Sequence, residues 1–164
     1  MDNFHIMLIL AAFLCSLVAG FLFAYAIVVM PGIKNLSDNA FIHAFQVTDR
    51  IIQDNQPVFM LVWLGSAVAV VVAALLGFEK QQGADAFLLL FASVAYVFGV
   101  QLPTIAINLP LNNRLQSLTV EQMSEAEMKQ ERMAFESRWN RSNSFRTVIA
   151  CCVSAALLIL LLRQ

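Results

Sequence analysis

The composition of this 164-residue chain is that of a membrane protein built as a single integral domain, residues 1–164. Hydrophobic residues make up 60% of the chain and charged residues only 13%, whereas about a quarter of an average soluble domain is charged. The formal net charge of −1 offers no basic surface for a nucleic-acid partner, so the sequence excludes that function class.

Four long apolar runs predict four transmembrane helices, because about 20 apolar residues in a helix cross the hydrocarbon core of a bilayer. No Lys or Arg precedes the first run, so we expect a retained span, although Ala24-Tyr25-Ala26 resembles a signal-peptide cleavage site. This run stops at Pro31-Gly32. The predicted spans cover residues 6–30, 57–78, 87–109 and 145–162.

The basic residues indicate how the spans are oriented. With four spans, the first and third connections share one side, and both termini share the other side with the second connection. All ten Lys and Arg residues except Lys80 and Arg163 fall in or beside the first and third connections. The positive-inside rule therefore predicts cytoplasmic long connections and outside termini, in the cytoplasmic (inner) membrane if the protein is bacterial.

The first connection is predicted to contain an amphipathic helix. Ser37 and Asp38 offer a helix cap, and Phe41 and Phe45 then recur at helical spacing within residues 39–53. We expect this helix to lie at the membrane surface or to fold over the end of the bundle.

The third connection is predicted to have two parts. Residues 108–114 read as a polar turn around Pro110. Ser124 and Glu127 then form a capping box that opens a charged helix. Neither proline nor glycine follows Ser124, so we expect a cytoplasmic helix that continues directly into the fourth span. The fold class is therefore an all-α four-helix transmembrane bundle.

His43 and Gln46 form the first candidate group for a functional site. They lie three residues apart on the predicted amphipathic helix, where the histidine could act as a base and the glutamine as a hydrogen-bonding partner. The alternative is a solvated histidine at the membrane interface.

Asn108 and Asn112 form the second group, at the end of the third span. Asparagine is common in turns because its side chain bonds to the nearby backbone. Asn108, however, shares a helix face with Thr104 and Gln101, and such a polar face avoids lipid and points into the bundle.

Trp139, Asn143 and Arg146 form the third group, one stripe at the start of the fourth span. An arginine in this position is often a membrane-surface anchor. Beside an amide and an indole, it also suits a planar molecule that carries oxygen. The number of spans places all three groups at the cytoplasmic end of the bundle.

A metal centre is not predicted. His5 is expected on the opposite side from His43, and the three cysteines lie within apolar runs without metal-ligand spacing. We read the cysteines as small buried hydrophobic side chains.

The chain resembles the anthrone-oxygenase-like family of small integral membrane proteins. The resemblance covers essentially the whole chain and rests on five segments in order, of which the last two are the most specific. These are Val-Val-Met-Pro-Gly, Phe-Ile-His-Ala-Phe-Gln, Pro-Val-Phe, Asn-Leu-Pro-Leu-Asn-Asn-Arg-Leu and Arg-Trp-Asn-Arg-Ser-Asn-Ser-Phe-Arg-Thr.

The resemblance implies a four-helix membrane bundle and, as in fungal members, oxidation of a polyketide anthrone to an anthraquinone by O2 with no established metal or flavin requirement. His43, Arg146 and Asn108 carry over as catalytic residues. Gln46, Asn112, Trp139 and Asn143 carry over as substrate-binding residues. No cofactor is expected.

The leading interpretation is thus a membrane-embedded oxygenase-like protein that acts on a hydrophobic aromatic molecule. The alternative is a non-enzymatic protein that binds a lipid or quinone, or that packs as a helical partner in an assembly. The expected partners are membrane lipid and a hydrophobic small molecule, and the sequence leaves open whether the chain forms a homo-oligomer.

Overall fold

The computed structural model describes residues 2–164, and this part of the chain contains helices and no strand. Four helices are long and apolar enough to cross a membrane, which confirms the predicted all-α bundle. The five long helices are α1 (Asn3–Ile33), α2 (Asp38–Gln53), α3 (Pro57–Gly77), α4 (Gly83–Gln116) and α5 (Glu125–Leu162). A short 3₁₀ turn, Val120–Gln122, precedes α5.

The bundle is held together by close packing of small and apolar side chains. Helix α1 lies between α3 and α5, and α5 packs along α4. Alanines on all four spans, including Ala11, Ala73, Ala92 and Ala150, are fully buried, which lets the backbones approach closely. Large apolar side chains such as Leu61 and Phe87 are exposed instead, as expected for surfaces that face lipid.

Helix α1 passes through Pro31-Gly32, where the apolar run stops, and ends one residue later at Ile33. The α-helix Asn3–Ala24 widens into a π-helical turn, Tyr25–Val29, and then resumes as Met30–Ile33. Proline lacks an N–H group, and its ring clashes with the carbonyl four residues earlier. A widened turn just before the proline accommodates this clash, and the helix continues.

The predicted polar turn at residues 108–114 is wrong, because α4 remains helical to Gln116. A π-helical turn, Thr104–Asn108, again ends two residues before a proline, Pro110, and the helix resumes as Leu109–Gln116. A third such turn, Val97–Gln101, ends two residues before Pro103. The third span is therefore longer than the predicted 87–109, and its asparagines lie on a helix.

Helix α2 is the predicted amphipathic helix, and it forms a roof over one end of the bundle. The Ser37 side chain caps it by accepting a hydrogen bond from the backbone N–H of Ala40. Its buried face packs against the last turns of α4 and against α5. Phe45 contacts Phe135 and Trp139 of α5, with ring centroids 4.6 and 5.7 Å apart.

Helix α5 is one uninterrupted helix of 38 residues, as predicted. At 1.5 Å per residue it is about 57 Å long, well beyond the roughly 30 Å of a hydrocarbon core. The predicted capping box of Ser124 and Glu127 begins it. Arg132 lies on the part of α5 that precedes the fourth span. It donates to the carbonyl oxygens of Lys34 and Leu36 and forms an ion pair with Asp38 at 2.9 Å, so it attaches the start of α2 to α5.

Candidate functional site

A cavity of about 340 Å³ lies beneath α2, where the five long helices converge. This volume is within the usual range for small-molecule sites, roughly 300–1,000 Å³. One wall is apolar and aromatic, and the opposite wall, on α4 and α5, is polar. The aromatic side chains that line the cavity are Phe21, Tyr25, Phe45, Phe59, Trp63 and Trp139.

The polar wall begins with an ordered series of hydrogen bonds between α4 and α5. Because the two helices are antiparallel, residues that ascend along α4 pair with residues that descend along α5. The pairs are Thr104 with Arg146 at 2.8 Å, Asn108 with Ser142 at 2.5 Å, and Asn112 with Trp139 at 2.8 Å. We call these three pairs the polar ladder.

Asp49 of α2 lies at the roof end of the polar ladder. Its carboxylate accepts hydrogen bonds from the amides of Asn112 at 2.8 Å, Gln53 at 3.1 Å and Gln116 at 3.2 Å. Asp49 is only 3% exposed, and no Lys or Arg in residues 2–164 forms an ion pair with it. Burial raises the pKa of this carboxyl above its ordinary value, and the three amide hydrogen bonds offset part of the rise.

Arg146 lies at the deep end of the polar ladder. It donates to the Thr104 hydroxyl at 2.8 Å and to the Asn143 carbonyl oxygen at 2.9 Å. It is 4% exposed and forms no ion pair within the described chain. A buried cation without an anion is costly, which makes this end of the cavity attractive to an anionic or oxygen-bearing ligand.

Two buried donors at the deep end have no hydrogen-bond partner among residues 2–164. They are Nε of Arg146 and Nε2 of Gln101, and both residues line the cavity. Buried polar groups in native proteins are nearly always paired. Both atoms are inaccessible to solvent, so these two residues leave the deep end of the cavity polar and short of hydrogen-bond acceptors.

Five of the seven residues predicted for the site line this cavity. Asn143 positions the guanidinium of Arg146 and donates to the Leu22 carbonyl oxygen. Asn108 accepts from Ser142, so its carbonyl oxygen is engaged in holding α4 and α5 together. The five residues are Asn108, Asn112, Trp139, Asn143 and Arg146.

The other two predicted residues do not line the cavity. His43 is exposed on the surface of α2. Gln46 is buried, but its amide donates to the carbonyl oxygens of Leu115 and Leu118 at 2.8 and 3.0 Å. Gln46 therefore attaches the roof to the end of α4 and faces away from the cavity.

These positions predict different effects for two alanine substitutions on α2. Gln46→Ala should lower the free energy of unfolding by about 1–3 kcal/mol, because it removes the donor to two backbone acceptors at a buried contact. His43→Ala is the matched control and should change it by less than about 0.5 kcal/mol. Thermal unfolding in detergent measures both, and equal losses would contradict the assigned positions.

Asp49 is the cavity residue that the sequence reasoning missed. It lies four residues after Phe45 and three before Ile52, so it shares the buried face of α2. A carboxylate on the apolar face of an amphipathic helix was the signal that could have identified it.

In residues 2–164, no three His, Cys, Asp or Glu side chains converge as a metal site.

The family model for anthrone oxygenase matches residues 52–157, nearly two thirds of the chain. The match includes the whole polar ladder, together with Asn143. Asp49 and His43 lie just before its first residue. No curated protein and no solved structure matches the chain. With a match of this extent, the four-span protein belongs to the anthrone oxygenase family.

Proposed function

We propose that the protein oxidises a hydrophobic anthrone-type ketone to a quinone with O2, inside the membrane. The observation that carries this proposal is a buried carboxylate, Asp49, and a buried guanidinium without an anionic partner, Arg146, at opposite ends of one aromatic-lined cavity. A carboxylate suits removal of a proton from carbon, and a guanidinium suits stabilisation of the resulting oxyanion.

The geometry of the polar ladder fits a ring held between the two charged groups. Thr104 and Asn112, the partners of Arg146 and Asp49, lie eight residues apart on α4, so the two charged groups lie at opposite ends of the polar ladder. An anthrone carries its ketone oxygen and its acidic methylene on opposite sides of the central ring. A ring between them would turn its ketone oxygen towards Arg146 and its methylene towards Asp49.

Asp49, rather than the exposed His43, is the proposed base. It lies in the cavity, and a raised pKa brings a carboxylate closer to the basicity that proton abstraction from carbon requires. The amides of Asn112, Gln53 and Gln116 fix its orientation.

Arg146 is the proposed oxyanion-stabilising residue, with Gln101 as a second donor. When the methylene loses its proton, negative charge moves to the ketone oxygen at the opposite side of the ring. Both residues line the cavity, and Nε of Arg146 and Nε2 of Gln101 lack partners in residues 2–164, so these side chains would donate to that oxygen on turning towards it. Donors that are already fixed in a dry site stabilise such charge strongly.

The reaction balances with O2 as the oxidant and no external reductant. Asp49 removes one methylene proton, and the enolate carbon forms a C–O bond to O2, which becomes a hydroperoxide on taking a proton. Loss of the second methylene proton cleaves the O–O bond, forms the second carbonyl and releases water. One oxygen atom of O2 stays in the quinone and the other leaves as water.

Isotope labelling in nanodiscs tests the proposal. The purified protein, supplied with an anthrone and ¹⁸O2, should accelerate quinone formation above the protein-free rate and place one labelled oxygen in each quinone. A rate equal to that of empty nanodiscs would refute oxidation. Saturable binding of the ring without acceleration would instead favour the alternative function, a lipid- or quinone-binding protein.

A further inference from the structure

The cavity wall between α3 and α4 is open towards the lipid-facing surface. Three apolar residues line the cavity and are also exposed on the outside of these two spans: Leu64 of α3 at 56%, and Ile105 and Leu109 of α4 at 63% and 42%. Side chains with one face in a cavity and the other on a membrane-facing surface mark an opening between the two.

The path of α4 explains why the opening exists. The first part of α4, Gly83–Tyr96, packs against α3. Beyond Tyr96, α4 packs mainly against α5, where the polar ladder holds it, and it makes few contacts with α3. The two spans therefore separate beyond the contact of Ser66 with Tyr96, on the side where Leu64 and Ile105 lie.

The opposite side of the cavity is closed and polar. Asn143, Asn108 and Arg146 are 1%, 2% and 4% exposed, so no comparable opening exists on their side. A molecule that arrives between α3 and α4 meets apolar and aromatic side chains first and the guanidinium of Arg146 last.

We infer that the gap between α3 and α4, which we call the lateral portal, admits the substrate directly from the bilayer. This inference rests on the proposed function and narrows its substrate class. The substrate is a flat, uncharged molecule that dissolves in lipid, with one oxygen-bearing edge that reaches Arg146. Water-soluble, charged forms of the same ring are excluded, because they do not partition into the hydrocarbon at the portal.

The two tryptophans of the chain, Trp63 and Trp139, both line the cavity, so intrinsic fluorescence reports on its occupancy. In proteoliposomes, stopped-flow quenching by anthraquinone measures arrival of a lipid-soluble ring. Anthraquinone-2-sulfonate measures arrival of the same ring from water. The lipid-soluble probe should quench rapidly, and the sulfonate should quench far more slowly at equal aqueous concentration.

Filling the portal should slow only the lipid-soluble probe. The double substitution Leu64→Phe with Ile105→Phe should lower its association rate by about tenfold or more. The matched control is Leu61→Phe with Leu102→Phe, on the same two helices, where both residues are exposed but neither lines the cavity. This control should retain the wild-type rate.

Brominated lipids supply a readout that needs no substrate. Acyl-chain bromine quenches a tryptophan only at contact, so it should quench Trp63 in a Trp139→Phe background and quench it less when the portal is filled. Equal association rates for the filled and control variants, or absence of bromine quenching, would overturn the portal.

The outcomes separate this inference from the proposed function. Portal-dependent binding without quinone formation would leave the portal standing and refute only the oxidation. Rapid, portal-independent quenching by the sulfonate would place the route at the aqueous side, beside Gln53 and Asn55, and refute only the portal. Quenching by neither probe would refute both.

Discussion

Replacing Arg146 with methionine should lower kcat/KM for an anthrone by about 10²- to 10³-fold, the usual effect of removing one donor to a developing oxyanion. The guanidinium is the only cationic group among the cavity-lining side chains, and its Nε has no partner in the described chain. Quinone formation in nanodiscs, corrected for the protein-free rate, measures the loss.

The Arg146→Met protein should nevertheless remain folded. Arg146 has no carboxylate partner, so methionine removes a buried charge whose desolvation opposes folding. The hydrogen bonds to Thr104 and Asn143 are lost, which offsets part of that gain. Arg141→Gln, at an exposed position on the same helix, is the control and should retain activity. A large fall in melting temperature without a change in turnover by the remaining folded protein would assign Arg146 a structural role.

Replacing Asp49 with asparagine should lower turnover by about 10²- to 10⁴-fold, the contribution typical of a positioned general base. Asparagine keeps the shape of the side chain but cannot accept the methylene proton. Asp54→Asn, at an exposed position just beyond α2, is the matched control and should leave turnover unchanged. If the Asp49→Asn protein kept wild-type turnover, Asp49 would not be the general base.

The pH dependence of activity provides a second test of Asp49. The base must be ionised, so kcat/KM should fall as the pH is lowered through its pKa. Because burial raises that pKa, the fall should occur above the ordinary aspartate value of about 3.9. A profile that stays flat down to that value would contradict the assignment.

Stability should respond to pH in the opposite direction. A carboxyl whose pKa is higher in the folded than in the unfolded protein favours folding most below its unfolded pKa. That contribution is lost as the pH rises through the folded pKa. Relative to Asp49→Asn, the free energy of unfolding of the wild type should therefore decline over this window, as measured by denaturation in detergent at a series of pH values.

Most of the fold follows from apolar run length and helix-start signals. Runs of about 20 apolar residues predicted all four spans. The capping box at Ser124 predicted the start of α5, and the absence of proline and glycine after it predicted that α5 is long. The error occurred at Pro110, where the sequence predicted a polar turn. A proline opposes an ordinary helical turn, but a π-helical turn before it relieves the clash, and this depends on tertiary packing that a local pattern does not encode.

The candidate site was predictable where polar residues recur within a span, since lipid excludes them from the outer surface. This reasoning pointed Asn108 into the bundle, and a shared stripe with the number of spans put Asn143 and Arg146 at the same end. All three line the cavity. It favoured His43 for its chemistry and overlooked Asp49, although Asp49 follows Phe45 by four residues on the apolar face of α2. What the sequence did not show is the contact of Asp49 with Asn112, because those two residues are far apart in the chain.

The π-helical turns before Pro31, Pro103 and Pro110 have a consequence for how related chains can vary in length. A π turn is equivalent to a single-residue insertion in an α-helix, with both flanking segments kept in their original rotational phase. Deleting one residue there restores an ordinary turn, whereas the same deletion elsewhere in a span rotates everything beyond it by about 100°. Single-residue gaps between homologues should therefore cluster in the half-dozen positions ahead of these prolines.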